Sequence, residues 1–305
     1  MRDSLLRRSK DCLGIADSAP QYYRLRGQTT ATRLDWVSVW VKQMAPSSYQ
    51  RYVALGDSTT EGLIDPDPWG GARNRGWADR LAEKLAGINP EIRYANLAIR
   101  GRKLPQIRAE QLGPSLALEP DLASVLGGVN DILRREVELE ARAEDLEAMV
   151  SALRESGAVV LLSNYPSIAG SISFGASRFA PRIESFNQTI GEIAERQGAL
   201  LIDLAADDID HPAMWATDRL HASSIGHERI ADLAAASLGI EQLDPGWEAA
   251  LPAHRPPSRP RRIAHDTAWA ARHMVPWIVR RIRGVSSGDG IEPKRPELGP
   301  VRSPA

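Results

Sequence analysis

Five positions in this chain have the types and surroundings needed for acyl-transfer chemistry: Ser58, Gly101, Asn130, Asp218 and His221. Such chemistry requires a nucleophile, a base to take its proton, a group to orient the base, and donors for the developing oxyanion. Ser58 offers the hydroxyl. His221 offers an imidazole that titrates near working pH. Asp218, three residues earlier, can hold the second ring nitrogen and fix the tautomer. The backbone N–H groups of Ser58 and Gly101, with the Asn130 amide, can form a three-donor oxyanion hole. Glycine lets a backbone approach a substrate closely, and a neutral amide donates without needing a counter-charge.

These residues cluster only if the elements before them place them together. Arg51-Tyr-Val-Ala-Leu-Gly-Asp-Ser-Thr-Thr-Glu-Gly62 reads as a buried strand, 52–55, broken by Gly56-Asp57-Ser58 and followed by helix-start residues. Further apolar runs predict strands at 92–95, 122–126, 158–162 and 200–202. Helical spacing predicts helices near 77–87, 103–112, 138–156, 179–197 and 225–237. Gly113-Pro114 is expected to stop the second, and Ser223 or Ser224 to cap the last. Five β/α repeats with short connections imply a parallel sheet covered on both faces, a three-layer doubly wound domain. The candidate residues then fall at one sheet edge, where open α/β sheets bind ligands.

Gly56-Asp57-Ser58, the Asn96…Gly101 loop, Gly128-Val129-Asn130-Asp131 and Asp218-Arg-Leu-His221 resemble the four sequence blocks of the SGNH/GDSL hydrolase family, in the same order, over about residues 51–238. The resemblance implies a flavodoxin-like α/β/α sandwich with a parallel five-stranded sheet. It also implies serine ester hydrolysis through an acyl-enzyme on Ser58, with no metal and no cofactor. Thr59 stands where the family's GDSL name has leucine. Two rival readings keep the same fold: acyl transfer to a sugar or lipid acceptor with the same residues, and a non-catalytic binding protein. A nucleotide-binding reading lacks the Gly-rich phosphate loop with Lys-Ser/Thr after the first strand.

Composition narrows the surroundings. The 305 residues, 43% hydrophobic, are ample for one sizeable core. A formal net charge of -1 excludes an overall polyanion binder, so no nucleic-acid partner is expected. The single cysteine, Cys12, excludes an internal disulfide. With no signal-peptide h-region and no long apolar stretch, the expectation is a cytoplasmic protein acting on a small-molecule ester.

The chain divides into an N-terminal extension (1–50), a hydrolase-like domain (51–240), a Pro/Arg linker (241–262), an amphipathic helix (263–283) and a structureless tail (284–305). Met44 is read as the natural start. The stripe at 269–282 is expected to pack on the domain, with weak contact to anionic lipid as the rarer alternative. Asp57 is expected to bond turn amides, His211 to shape its loop and His227 to be structural. Trp69 and Tyr165 are candidate cleft walls, whereas Trp77 fits a helix-face core position. Arg100 and Arg102 flank the oxyanion loop, where solvation is the ordinary state and contact with an anionic substrate the alternative. The loops 62–76 and 166–180 are expected to shape the pocket.

Overall fold

The alternation of side chains along each strand explains why one sheet supports two separate cores. In the computed structural model, Tyr52, Ala54, Tyr94, Leu122 and Leu161 face one side. Val53, Leu55, Ala95, Ala123 and Leu162 face the other. The structure describes residues 45–68, 74–134, 136–166, 176–205, 211–240, 251, 258, 266–276 and 286–302. The expectations for Met44, Trp69, residues 1–44 and most of the 241–262 linker lie outside them.

The strands are β1 (Arg51–Gly56), β2 (Arg93–Asn96), β3 (Leu122–Leu126), β4 (Val159–Ser163), β5 (Leu200–Ile202) and β6 (Arg295–Pro300). Their order is β5-β4-β3-β1-β2-β6. The first five are mutually parallel, with Tyr52 opposite both Tyr94 and Leu122. Alongside the sheet run the helices α1 (Ser58–Glu61), α2 (Gly76–Ile88), α3 (Leu104–Ile107), α4 (Gly113–Ala117), α5 (Val129–Ile132), α6 (Leu139–Glu155), α7 (Ala176–Gln197) and α8 (Ser224–Ser237), and residues 266–276 form a further helical segment. Residues from α2 and α8 cover one face of the sheet, and residues from α3, α6 and α7 the other. This is the expected three-layer sandwich. The strand order reverses between β1 and β3, so the loops after those two strands flank the crevice of such sheets.

The expected five strands become six. β6 joins the free edge of β2 in antiparallel pairing, with Tyr94 opposite Gly299. Residues 295–300 therefore belong to the sheet, not to a structureless tail. Their Pro- and Gly-rich composition has little β propensity. Long-range contacts hold them in place. The Lys294 ammonium donates to the carbonyls of Glu61, Arg75 and Asn74 and pairs with the Asp79 carboxylate. The Arg295 guanidinium lies over the Tyr94 ring.

Two smaller expectations also shift. Gly113-Pro114 does not end the helix begun at Leu104. A π-helical turn, Arg108–Leu112, carries the chain into α4, and Pro114 falls in its first turn, where its missing N–H costs little. The body also begins before residue 51. Tyr49 is fully buried, and the Gln50 N–H donates to the Asp121 carboxylate at 3.0 Å. No helix among the described residues is long and apolar enough to cross a membrane.

Candidate active site

β1 ends at Gly56, where no larger residue fits: a Cβ would sit 2.2 Å from the Leu126 carbonyl oxygen on β3. The Gln111 amide, buried in the π turn, closes this strand end. It accepts the Gly56 N–H at 2.8 Å and donates to the Gly56 carbonyl at 2.9 Å. Asp57 then caps α1, its Oδ1 accepting the Thr59 N–H at 3.1 Å. The first residue of that helix is Ser58.

Across the crevice, residues 215–222 form a small hairpin-like loop. Trp215 and Ala222 close it with an antiparallel bridge, and the Arg219 N–H returns to the Ala216 carbonyl at 2.9 Å. Asp218 Oδ1 accepts the backbone N–H groups of Leu220 and His221, both at 3.0 Å. Its other oxygen is left to face His221 Nδ1 at 2.6 Å, and His221 Nε2 lies 3.0 Å from Ser58 Oγ. These three side chains form one continuous hydrogen-bonded line. Burial alone would raise the Asp218 carboxyl. The hydrogen bond and charge of His221, with the two backbone donors, outweigh it and hold the group below the usual carboxylate range.

Gly101 and Asn130 line the same cleft as Ser58 and His221. Gly101 has a φ of 76°, a backbone state that glycine adopts without strain. Asn130 is held at both amide hydrogens: Nδ2 donates to Asp57 Oδ2 at 3.0 Å and to the Arg102 carbonyl at 3.1 Å. Asp57 thus does more than bond turn amides. Its carboxyl is pushed up to about 6 by complete burial, against the lowering pull of the Thr59 N–H, His221 and Asn130.

The cleft, about 330 Å³, carries apolar walls that include Val129, Leu133, Ile183 and Met214. Tyr165 lines it, and its hydroxyl donates to the Gly127 carbonyl. Trp77 is fully buried, the core position expected of it. Two histidines that could compete with His221 as base, His211 and His227, are engaged elsewhere. His211 Nδ1 accepts the Ala213 N–H at 3.1 Å. The buried His227 accepts the Trp77 N–H at 3.2 Å. Ser223, at the start of α8, caps that helix by accepting the Gly226 N–H.

Some residues at this site carry no local signal in the sequence. Glu61 is buried and holds Arg100 by its backbone and its side chain, so Arg100 is not simply solvated, and it also lines the cleft. His273 and Ser287, far along the chain, line the cleft. The amphipathic spacing around 269–282, of which residues 277–282 lie outside the described residues, predicts a helix that packs but not which surface it meets.

The sequence profile of the GDSL-like lipase/acylhydrolase family matches residues 54–229. The acetylxylan esterase of Geobacillus stearothermophilus is 25% identical over 217 residues, covering 65% of this chain and 98% of that protein. Its crystal structure superposes with a TM-score of 0.54 at 23% identity, over 64% of this chain and 97% of the other. An α/β hydrolase from the metagenome of Lake Arreo, Spain, gives a TM-score of 0.55 at 24% identity over 64% and 97%. The two structural likenesses concern the fold. The profile match spans more than half of the 305 residues and contains Ser58, Gly101, Asn130, Asp218 and His221 in order, and on that ground the chain belongs to the GDSL-like lipase/acylhydrolase family.

Proposed function

We propose that the protein is a serine carboxylic-ester hydrolase that works through an acyl-enzyme on Ser58. The observation that carries this reading is the line from Ser58 Oγ to His221 Nε2 at 3.0 Å and from His221 Nδ1 to Asp218 Oδ2 at 2.6 Å. Ser58 Oγ attacks the ester carbonyl as His221 Nε2 takes its proton. Asp218 stays ionised, fixes the ring and stabilises the imidazolium. The carbonyl oxygen, now negative, is received by the N–H groups of Ser58 and Gly101 and by the Asn130 amide. Asn130 has two amide hydrogens. One stays on Asp57, which orients the group, and the oxyanion draws the other from the Arg102 carbonyl. His221 then protonates the departing alkoxide. The same ring deprotonates a water molecule that attacks the acyl carbon, then returns that proton to Ser58 Oγ as the acyl–Oγ bond breaks and the acid leaves.

The acyl group is expected to lie along the apolar walls of the cleft. Each methylene buried there is worth about 0.8 kcal/mol, so kcat/KM across a p-nitrophenyl ester series should rise about fourfold per carbon until the cleft is full. A preference for acetyl esters, the substrate type in the name of the Geobacillus relative, would instead give a series that falls from the first member.

Purified protein labelled at Ser58 by a fluorophosphonate, with labelling and ester turnover lost in Ser58→Ala and His221→Ala, is the expected result. Near-normal turnover by Ser58→Ala would refute the mechanism.

A further inference from the structure

The turn that carries Asp218 and His221 is gripped from outside by a part of the chain that lies beyond the matched 54–229 stretch. Arg219, between them, has a φ of 58°. That left-handed conformation is disfavoured for a residue with a side chain and persists where surrounding contacts over-determine it. Here the turn's own hydrogen bonds are joined by contacts from the helical segment 266–276. The Asp266 carboxylate pairs with the Arg219 guanidinium at 2.6 Å. The Trp269 ring lies under that guanidinium, 5.2 Å from its carbon to the ring centroid. The Trp269 indole N–H donates to the backbone carbonyl of Asp218 at 2.8 Å. A few residues on, His273 lines the cleft itself.

We propose that Asp266 and Trp269 are positioning residues for the Asp218–His221 pair, acting through the side chain of Arg219 and the carbonyl of Asp218. Asp218 uses one carboxylate oxygen for the turn's own N–H groups and the other for His221 Nδ1. A rotation of the Arg219 peptide would therefore move both at once and pull Nε2 away from Ser58. The added segment keeps that peptide from rotating. The inference rests on Ser58, Asp218 and His221 being the reacting set.

The test uses full-length protein and p-nitrophenyl ester turnover, normalised to fluorophosphonate-labelled sites. Asp266→Ala removes the carboxylate. Trp269→Phe keeps a ring but removes the N–H. Each should lower kcat roughly tenfold, inside the 10²-fold that a displacement of about 1 Å can cost. KM should change by less than about twofold, as expected when only the transition state is affected. Glycine takes the left-handed conformation without strain and has no guanidinium to hold. In an Arg219→Gly background, Asp266→Ala should therefore have no further effect on kcat. Unchanged kcat in both single variants, a loss carried by KM, or an Asp266→Ala loss that persists in full without Arg219 would each overturn the clamp. An active Ser58→Ala variant would instead overturn the catalytic reading. An inactive Ser58→Ala alongside fully active Asp266→Ala and Trp269→Phe would overturn the clamp alone.

Discussion

Glu61 ties the helix that begins at Ser58 to the loop that carries Gly101: its Oε2 accepts the Arg100 backbone N–H at 2.8 Å, and its Oε1 accepts the Arg100 Nε–H at 2.9 Å. The carboxylate is buried and the guanidinium 27% exposed. Removing one partner of such a pair strands the other. Glu61→Ala should cost about 3 kcal/mol of stability, the low end for a buried pair because Arg100 retains some water. It should also lower kcat on the order of tenfold as the Gly101 N–H drifts from the oxyanion position. Urea denaturation and steady-state kinetics on the same preparation check both.

Asp218→Asn should leave the fold intact and lower kcat on the order of 10³–10⁴. Nδ1 of His221 faces Asp218 Oδ2, while Oδ1 is engaged by two backbone donors. An asparagine would keep its oxygen on those donors and turn its NH₂ towards Nδ1. The ring would then carry its proton on Nε2 and could not accept one from Ser58. Unchanged circular dichroism with collapsed turnover is the expected pair of readings.

Asn130→Ala should cost on the order of 10²–10³ in kcat with KM little changed, the usual loss for one oxyanion donor. Asp57→Ala should reproduce part of that loss. Asp57 Oδ2 holds the Asn130 amide at 3.0 Å, and its removal lets the amide turn. Additive effects in the double variant would mean that Asp57 does not act through Asn130.

His227 makes the fold sensitive to acid. Burial first, then the nearby Arg80 and Lys294 charges, push its imidazole down from 6.5 to about 4, against the pull of Asp65 and the Leu63 carbonyl. Between those values the unfolded chain binds a proton that the folded chain does not. Stability from this group is therefore complete above about 6.5 and declines as pH falls towards about 4, by roughly 3 kcal/mol in all. Asp57 and Asp79, both pushed up to about 6 chiefly by burial, act in the opposite sense, losing stability as pH rises through that value. The comparison must therefore be with a variant. His227→Gln can accept from Trp77 and donate to Leu63 without titrating. Its melting temperature relative to the parent should improve steadily from pH 7 to pH 4.5. A constant difference would show that His227 does not titrate in this window.

The residues legible in the sequence share one property: each sits just past an apolar run or in a compact polar turn, so a local signal marks it. Ser58 follows β1, Asn130 follows β3, and Asp218 and His221 lie within four residues of each other. The illegible ones act across distance. Glu61 meets Arg100 39 residues away, and Trp269 meets Asp218 51 residues away. No periodicity encodes such pairings. Residues 295–300 were hidden for a different reason. Two prolines and a glycine argue against a strand wherever local propensity is the guide, and long-range contacts, among them those of Lys294 and Arg295 and the packing of Leu298 on the core, override it. The helix through Gly113-Pro114 misled in the reverse direction, because a π turn moved the proline to a position that tolerates it.

β6 also decides how the sheet meets other molecules. Without it, β2 would offer its outer row of N–H and C=O groups to any passing strand, the usual template for self-association. β6 occupies that row and cannot pass the hazard on intact, since Pro296 and Pro300 have no N–H to offer a seventh strand. A protein cut back before Lys294 would be expected to clump in proportion to its concentration even where its ester chemistry survived, so the last dozen residues matter to solubility as well as to shape.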